Sequence, residues 1–402
     1  MDIRKYSNGL RLVYQYFDTP LSYCGVVVGS GSRHELKNQW GVAHLAEHML
    51  FKGTVRRSYI DMLNYIEGVG GELNAYTSKE DMCIYVSLLN GYFSRAVDVL
   101  SDVTFNSVFE DGDIEKEKGV IVDEINSYLD SPSEAIADDF DDYLFPDSLL
   151  GRNILGSEQS VSALSKADLE EYYVRNYCLD NIVFSYAGGL LFDEVEALVV
   201  EFFKCERKSV LLTEPVIPAS PFFKSEKKGT FQAHCIYGKP SVGCFDDDRL
   251  YYMFLNSLLG GVSFNSLLNL KLREENGLTY NIDSAYSAYA DIGMFAVYFG
   301  TDYSKVNKCL DIMKTLFTGL CNEPLSLDAF NARKTQFLGQ VALHFDGFLS
   351  VMLSNGKSLS QYDEVDSYEV ICDKVRQLDY DTFVRVSRSL LDVNTFSTLI
   401  YR

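Results

Sequence analysis

The chain has 402 residues, 47% hydrophobic and 23% charged, with 57 acidic against 36 basic side chains and a formal net charge of -21. That length is too great for one ordinary core and the composition is that of a soluble globular protein, so two or more domains are expected. The negative charge argues against nucleic acid or an anionic membrane as the main partner, and no run of about 18 apolar residues offers a membrane span.

The first residues, MDIRKYSNGLRLVYQY, alternate almost at once and lack an apolar h-region, so no signal peptide is expected. Residues 10–28 predict two strands with a turn near Pro20. The stretch 41–52 predicts a helix closed by Gly53 in the C′ position, and a second helix at 58–68 is broken by Gly70-Gly71. Residues 72–90 read as two strands around a polar turn, followed by helices over about 93–105 and 113–130. Residues 166–176 predict a helix, 181–188 a strand and 192–204 another helix. Residues 206–222 hold Pro215, Pro218 and Pro221, three of only eight prolines, and form the candidate linker.

Beyond the linker the order repeats. Residues 249–275 look helical, 279–300 give two strands, and 303–320 a helix whose LDIM (310–313) echoes VDVL (97–100). The expectation is two structurally related α/β domains, at 1–205 and 223–402. The nine cysteines, an odd number with no CxxC, suit reduced thiols in a cytoplasmic protein better than a disulfide framework.

The chemistry concentrates in GVAHLAEHMLFKG. Successive helical residues rotate by about 100°, so His44, Glu47 and His48 fall within an arc of about 100°. Val42, Leu45, Ala46, Met49 and Leu50 cover the opposite face. Two imidazoles one turn apart can bind one ion, and a neighbouring carboxylate can act on the water that such an ion holds; H-x-x-E-H is the inverted zinc-protease arrangement. Catalytic zinc usually takes three protein ligands. In DIEKEKGVIVDEINSYL (113–129), Glu117 and Glu124 share one helical face with Ile114, Val120, Ile121, Ile125 and Tyr128. Carboxylates in an apolar stripe are costly without partners. A divalent cation beside the histidines would compensate one of them, and the other could orient a ligand imidazole.

These motifs, HLAEH followed 76 residues after its last histidine by Glu124, together with GGELNAYTS (70–78), PDSLLGRNILGS (146–157) and REENGLTY (273–280), resemble the pitrilysin family of zinc metallopeptidases. That family includes insulin-degrading enzyme and the mitochondrial processing peptidase. The resemblance implies an α+β fold of two related domains, each a mostly antiparallel sheet packed with helices, the second lacking the metal motif and carrying an arginine–tyrosine pair. It implies one Zn2+ per chain on His44, His48 and Glu124, with Glu47 as general base and Glu117 as the outer carboxylate. Asn74 and Ala75 would lie on the edge strand that receives the peptide, and Arg273 and Tyr280 would complete the site. Leu267, in NSLLN (265–269), departs from the arginine often found there, which leaves substrate preference open.

Long family members carry four such domains; two here, with both motifs on one chain, imply a homodimer whose subunits complete each other's sites, a heterodimer with a related subunit being the alternative. The function so implied is a zinc metalloendopeptidase acting on short or unfolded peptides in a closed dimeric chamber. The alternatives are a processing peptidase that trims leader peptides and a non-catalytic peptide-binding or scaffold subunit. GSGSRHE (29–35) reads as a turn. His34, His234 and His344 read as surface or core residues, and the 14 acidic side chains of 110–147 mostly as a solvated face.

Overall fold

The computed structural model describes residues 1–210, 214–261 and 263–402, so 211–213 of the candidate linker and Val262 of the stretch 249–275 lie outside the described residues. The chain divides into two compact units. The first comprises 1–126, 153–214 and 343–367, the second 127–152, 215–342 and 368–402.

The first unit is built on strands β1 (Asp2–Lys5), β2 (Arg11–Tyr16), β3 (Leu21–Val28), β4 (Glu72–Thr77), β5 (Met82–Leu89) and β6 (Ile182–Gly188). They lie in the order β1-β2-β6-β3-β5-β4, with β2 and β6 parallel and every other pair antiparallel. Helices α1 (Val42–Leu50), α2 (Tyr59–Glu67), α3 (Phe93–Phe105) and α4 (Asp111–Leu129) come from the chain between β3 and β6. Side chains alternate across a strand, and both faces of this sheet are covered. Cys24, Val26 and Val28 of β3 enter the core shared with α1 and α3, while Val27 packs on the other face with Val13, Val183 and Leu359. Leu359 belongs to the helix Phe348–Tyr362, which sits so close that a Cβ on Gly356 would meet Val27 at 2.8 Å.

The second unit repeats this plan. Strands β7 (Phe223–Glu226), β8 (Ala233–Ser241), β9 (Thr279–Ala288), β10 (Gly293–Thr301) and β11 (Ser397–Tyr401) lie in the order β7-β11-β8-β10-β9. That order, read from β2, is the order of the first sheet, and the parallel pair of β7 with β11 falls where β2 pairs with β6. Helix Arg249–Gly260 stands between β8 and β9 as α1 stands between β3 and β4. Helices Val306–Asn322 and Leu327–Phe345 follow β10 as α3 and α4 follow β5. The two-domain α+β expectation and the repeat are therefore what the structure contains.

Three details differ from the sequence reading. The units are not contiguous. Helix α5 (Pro132–Leu144) packs Ile136 and Phe140 against Ile236 and Leu399 in the second unit, while Phe348–Tyr362 packs in the first. An apolar sheet face must be covered, and nothing in its pattern specifies which half supplies the cover. The helix expected over 249–275 ends at Gly260-Gly261, and a short π-helical turn, Asn269–Glu274, follows. Finally, α1 stops at Leu50, and Gly53 bridges to Ser58 instead of capping the helix. Among the described residues no single helix is long and apolar enough to cross a membrane.

Candidate metal centre

The first unit positions the site through α1. Val42, Leu45, Ala46, Met49 and Leu50 are fully buried, which turns His44, Glu47 and His48 to the other side of the helix. The helix starts at Gly41, whose φ of 93° is a left-handed conformation suited to glycine. Its free N–H groups are held by the buried carboxylate of Glu35, which accepts from Gly41 N at 3.1 Å and Ala43 N at 2.9 Å. Sequence reasoning took GSGSRHE as a turn and missed this cap, which reaches in from outside the helix.

The imidazoles of His44 and His48 lie 4.6 Å apart, centroid to centroid, with planes at 67°. Helix α4 brings Glu124 to them: its Oε2 is 3.9 Å from His44 Nε2 and 3.7 Å from His48 Nε2. One ligand atom from each of the three residues lies within 4.8 Å of the others. Glu117, two turns earlier, places Oε2 3.1 Å from His48 Nδ1 and Oε1 2.6 Å from Lys52 Nζ. The stripe expected on α4 is thus only partly buried. Ile114, Glu117, Ile121 and Ile125 face inward, whereas Val120 and Glu124 are exposed. The cost of a buried carboxylate falls on Glu117 alone, and Lys52, which the sequence analysis did not single out, offsets it.

The electrostatics suit a cation. Burial, with help from neighbouring His48, pushes the His44 pKa down to about 4, so this ring is a neutral donor at neutral pH. Burial raises the Glu117 carboxyl, but hydrogen bonds from Lys52 and His48 outweigh it and hold the group below its usual range. Burial also raises the Glu47 carboxyl, partly offset by the Thr77 hydroxyl that donates to it and by His48. Among the described residues Glu124 has no lysine or arginine within 4 Å, only the two imidazoles. Two imidazole nitrogens and a carboxylate with no lysine or arginine beside it among the described residues form a donor set that zinc accepts.

Thr77 lies on β4, the outermost strand of its sheet, as do Asn74 and Ala75. These two pair only with Tyr85 and Ile84 of β5, which leaves the other edge of β4 without a strand partner among the described residues. Arg273 and Tyr280 belong to the second unit, where the guanidinium stands 4.9 Å over the phenol ring and Tyr280 is 77% exposed. The other histidines lie apart from the ligand group. His34 is buried and accepts from Gly31 N, His234 pairs with the Tyr298 hydroxyl, and His344 is exposed.

Residues 11–158 match Insulinase (Peptidase family M16), and residues 163–337 match the Peptidase M16 inactive domain. Over 362 residues the chain is 32% identical to the uncharacterised zinc protease YmxG of Bacillus subtilis, covering 89% of this chain and 88% of that one. The chain belongs to peptidase family M16. Other M16 relatives include the mitochondrial-processing peptidase subunit beta of Homo sapiens, 30% identical over 89% of this chain and 75% of that one. A protease from Helicobacter pylori has the same fold, with a TM-score of 0.91 at 16% identity, covering 100% of this chain and 99% of that one. The M16 inactive domain from Pseudomonas fluorescens superposes equally well, with a TM-score of 0.91 at 17% identity over 100% of this chain and 97% of that one. The resemblance seen in the motifs therefore holds, and this M16 member is a zinc metallopeptidase.

Proposed function

We propose that this M16 peptidase is an endopeptidase that cuts short or unfolded peptides laid along β4. The observation that carries the reading is the convergence of His44, His48 and Glu124 within 4.8 Å, with Glu47 on the same helix and hydrogen-bonded to the edge strand through Thr77. In this reading His44, His48 and Glu124 hold one zinc per chain. Bound zinc supplies Lewis acidity, polarising the scissile carbonyl and making water a stronger acid. A peptide adds to the free edge of β4 by backbone hydrogen bonds, with Asn74 and Ala75 on the receiving stretch. Such recognition tolerates many sequences and requires an extended chain, which excludes folded substrates.

Glu47 takes the proton of the attacking water and passes it to the leaving amine. Its raised carboxyl pKa brings it closer to the working range of a base, and the Thr77 hydroxyl fixes one of its oxygens. Glu117 holds the His48 ring through Nδ1. Arg273 and Tyr280 offer a cation and a hydroxyl to the substrate or to the tetrahedral oxyanion. Because one chain carries both motifs, we take the active assembly to be a homodimer with a closed chamber, each subunit's Arg273 and Tyr280 completing its partner's site. A heterodimer with a related subunit is the alternative. The odd set of nine cysteines without CxxC supports a cytoplasmic location.

The test is cleavage of a quenched peptide by the purified chain. Activity should disappear with a chelator and return with zinc. Glu47→Gln should lower kcat about 10²- to 10⁴-fold with zinc content unchanged, and full activity in that variant would contradict the mechanism. The 30% identity to a processing-peptidase subunit favours a second reading, removal of leader peptides. A random peptide library separates the two, since one narrow motif supports processing and broad cutting supports degradation.

A further inference from the structure

We propose that Lys52 is a positioning residue for the metal site, acting on His48 through Glu117. The inference rests on the reading that His48 is a zinc ligand. Lys52 lies two residues beyond the end of α1, where its backbone N–H donates to Met49 O at 3.1 Å and the loop is anchored to the last turn of the helix. From there the side chain reaches α4, and its ammonium stands 2.6 Å from Glu117 Oε1. The ammonium also lies 5.5 Å from the centroid of the Tyr59 ring, a second contact that limits where it can go. Glu117 is only 4% exposed, so its carboxylate has little water to share its charge. Its two oxygens are divided between two partners, Oε1 to Lys52 and Oε2 to His48 Nδ1 at 3.1 Å.

A carboxylate tied to an ammonium only accepts, so the hydrogen in the second bond belongs to His48 Nδ1. That fixes the tautomer and leaves the lone pair on Nε2, the atom that faces Glu124 at 3.7 Å. Lys52 thereby sets both which nitrogen of His48 is free and where the ring points. His44 has no such support, since its buried Nδ1 has no hydrogen-bond partner among the described residues. One ligand is locked by a three-member chain from a lysine, and the other is held by packing.

The experiment is zinc affinity of the purified full chain, measured by competition with a chromophoric chelator. Lys52→Met should weaken zinc binding about 10-fold, the lower end of what loss of an outer partner costs, and Lys52→Arg should restore most of it. Glu117→Gln should weaken binding at least as much, and Lys52→Met/Glu117→Gln should be no worse than Glu117→Gln alone, because Lys52 acts through that carboxylate. Melting of the zinc-free proteins is followed in parallel; a residue that only stabilises the loop would lower the melting temperature of the zinc-free chain and leave zinc affinity unchanged. Wild-type affinity in Lys52→Met, or losses that multiply in the double variant, would overturn the proposal while leaving the ligand assignment standing. A wild-type chain that binds no zinc, or a His48→Ala chain that binds it normally, would overturn the ligand assignment itself.

Discussion

The two units share a strand order and differ in what their paired helices carry. In the first, α1 and α4 meet through His44, His48 and Glu124. In the second, the corresponding helices are Arg249–Gly260 and Leu327–Phe345. Counted back from the last residue of each shorter helix, His44 corresponds to Phe254, Glu47 to Ser257 and His48 to Leu258. Counted from the first residue of each longer helix, both of 19 residues, Glu117 corresponds to Arg333 and Glu124 to Gln340. The positions that Glu47 and Glu124 take in one unit are bridged in the other by an ordinary hydrogen bond, Ser257 Oγ to Gln340 Oε1 at 2.6 Å. Phe254 fills its place by packing against Phe330, Phe337 and Phe383. The same scaffold thus supports a polar site or an apolar core at one helix crossing, and a handful of side chains decides which.

The contrast predicts opposite sensitivities. Phe254 is fully buried, so Phe254→Ala should cost about 3–5 kcal/mol of stability, and Ser257→Ala about 1 kcal/mol. His44→Ala removes a buried ring whose Nδ1 has no hydrogen-bond partner among the described residues, and should change the stability of the zinc-free chain by no more than about 1 kcal/mol while abolishing activity. Urea unfolding of the three variants checks this, and a large loss for His44→Ala beside a small one for Phe254→Ala would break the comparison.

A smaller effect separates the two units by acid response. In α3 the buried Asp102 accepts from Arg56, Arg57 and Thr54. Burial raises its carboxyl, but these hydrogen bonds outweigh it and hold the pKa below its ordinary value. A carboxyl lowered by folding contributes stability that is complete above the unfolded pKa of about 4 and is lost as pH falls through the folded value. The helix Val306–Asn322 keeps an aspartate at the earlier position, Asp311 for Asp98, but has Thr315 in place of Asp102. The melting temperature should therefore fall as the pH drops below about 4, and Asp102→Asn should flatten that drop. Thr315→Asp should not reproduce it, because Thr315 lies on an exposed surface. An unchanged acid limb in Asp102→Asn would remove the distinction.

Most of this site could be read from residue spacing. The 3.6-residue period put His44, Glu47 and His48 on one side of α1 because the other side had to be apolar, and all five of those apolar residues are buried. The same period put Glu117 and Glu124 on one face of α4, yet it could not tell that the helix rolls Glu124 and Val120 out to solvent. That depends on where α4 meets α1, which is a tertiary fact. Lys52, Glu35 and Thr77 were missed for the same reason, since each reaches the site from a loop or a strand and leaves no periodic mark. The repeat was legible from the order of elements and from the VDVL–LDIM echo, whose two members fall in the helix that follows the edge hairpin of each sheet. The exchange of α5 and the helix Phe348–Tyr362 was not, because an apolar helix face carries no address. Short charged strands such as β1 and β7, DIRK and FKSE, have too little alternation to be seen without their neighbours.

The central claim is that three side chains on two helices of the first unit hold one divalent ion. Its most direct test is the metal content of the purified full chain and of His44→Ala, His48→Ala and Glu124→Gln, each dialysed against buffer free of chelator and measured by mass spectrometry of the metal. The account predicts about one zinc per wild-type chain and a loss of most of it in every variant. Zinc retained at the wild-type level in Glu124→Gln together with either histidine variant would contradict it.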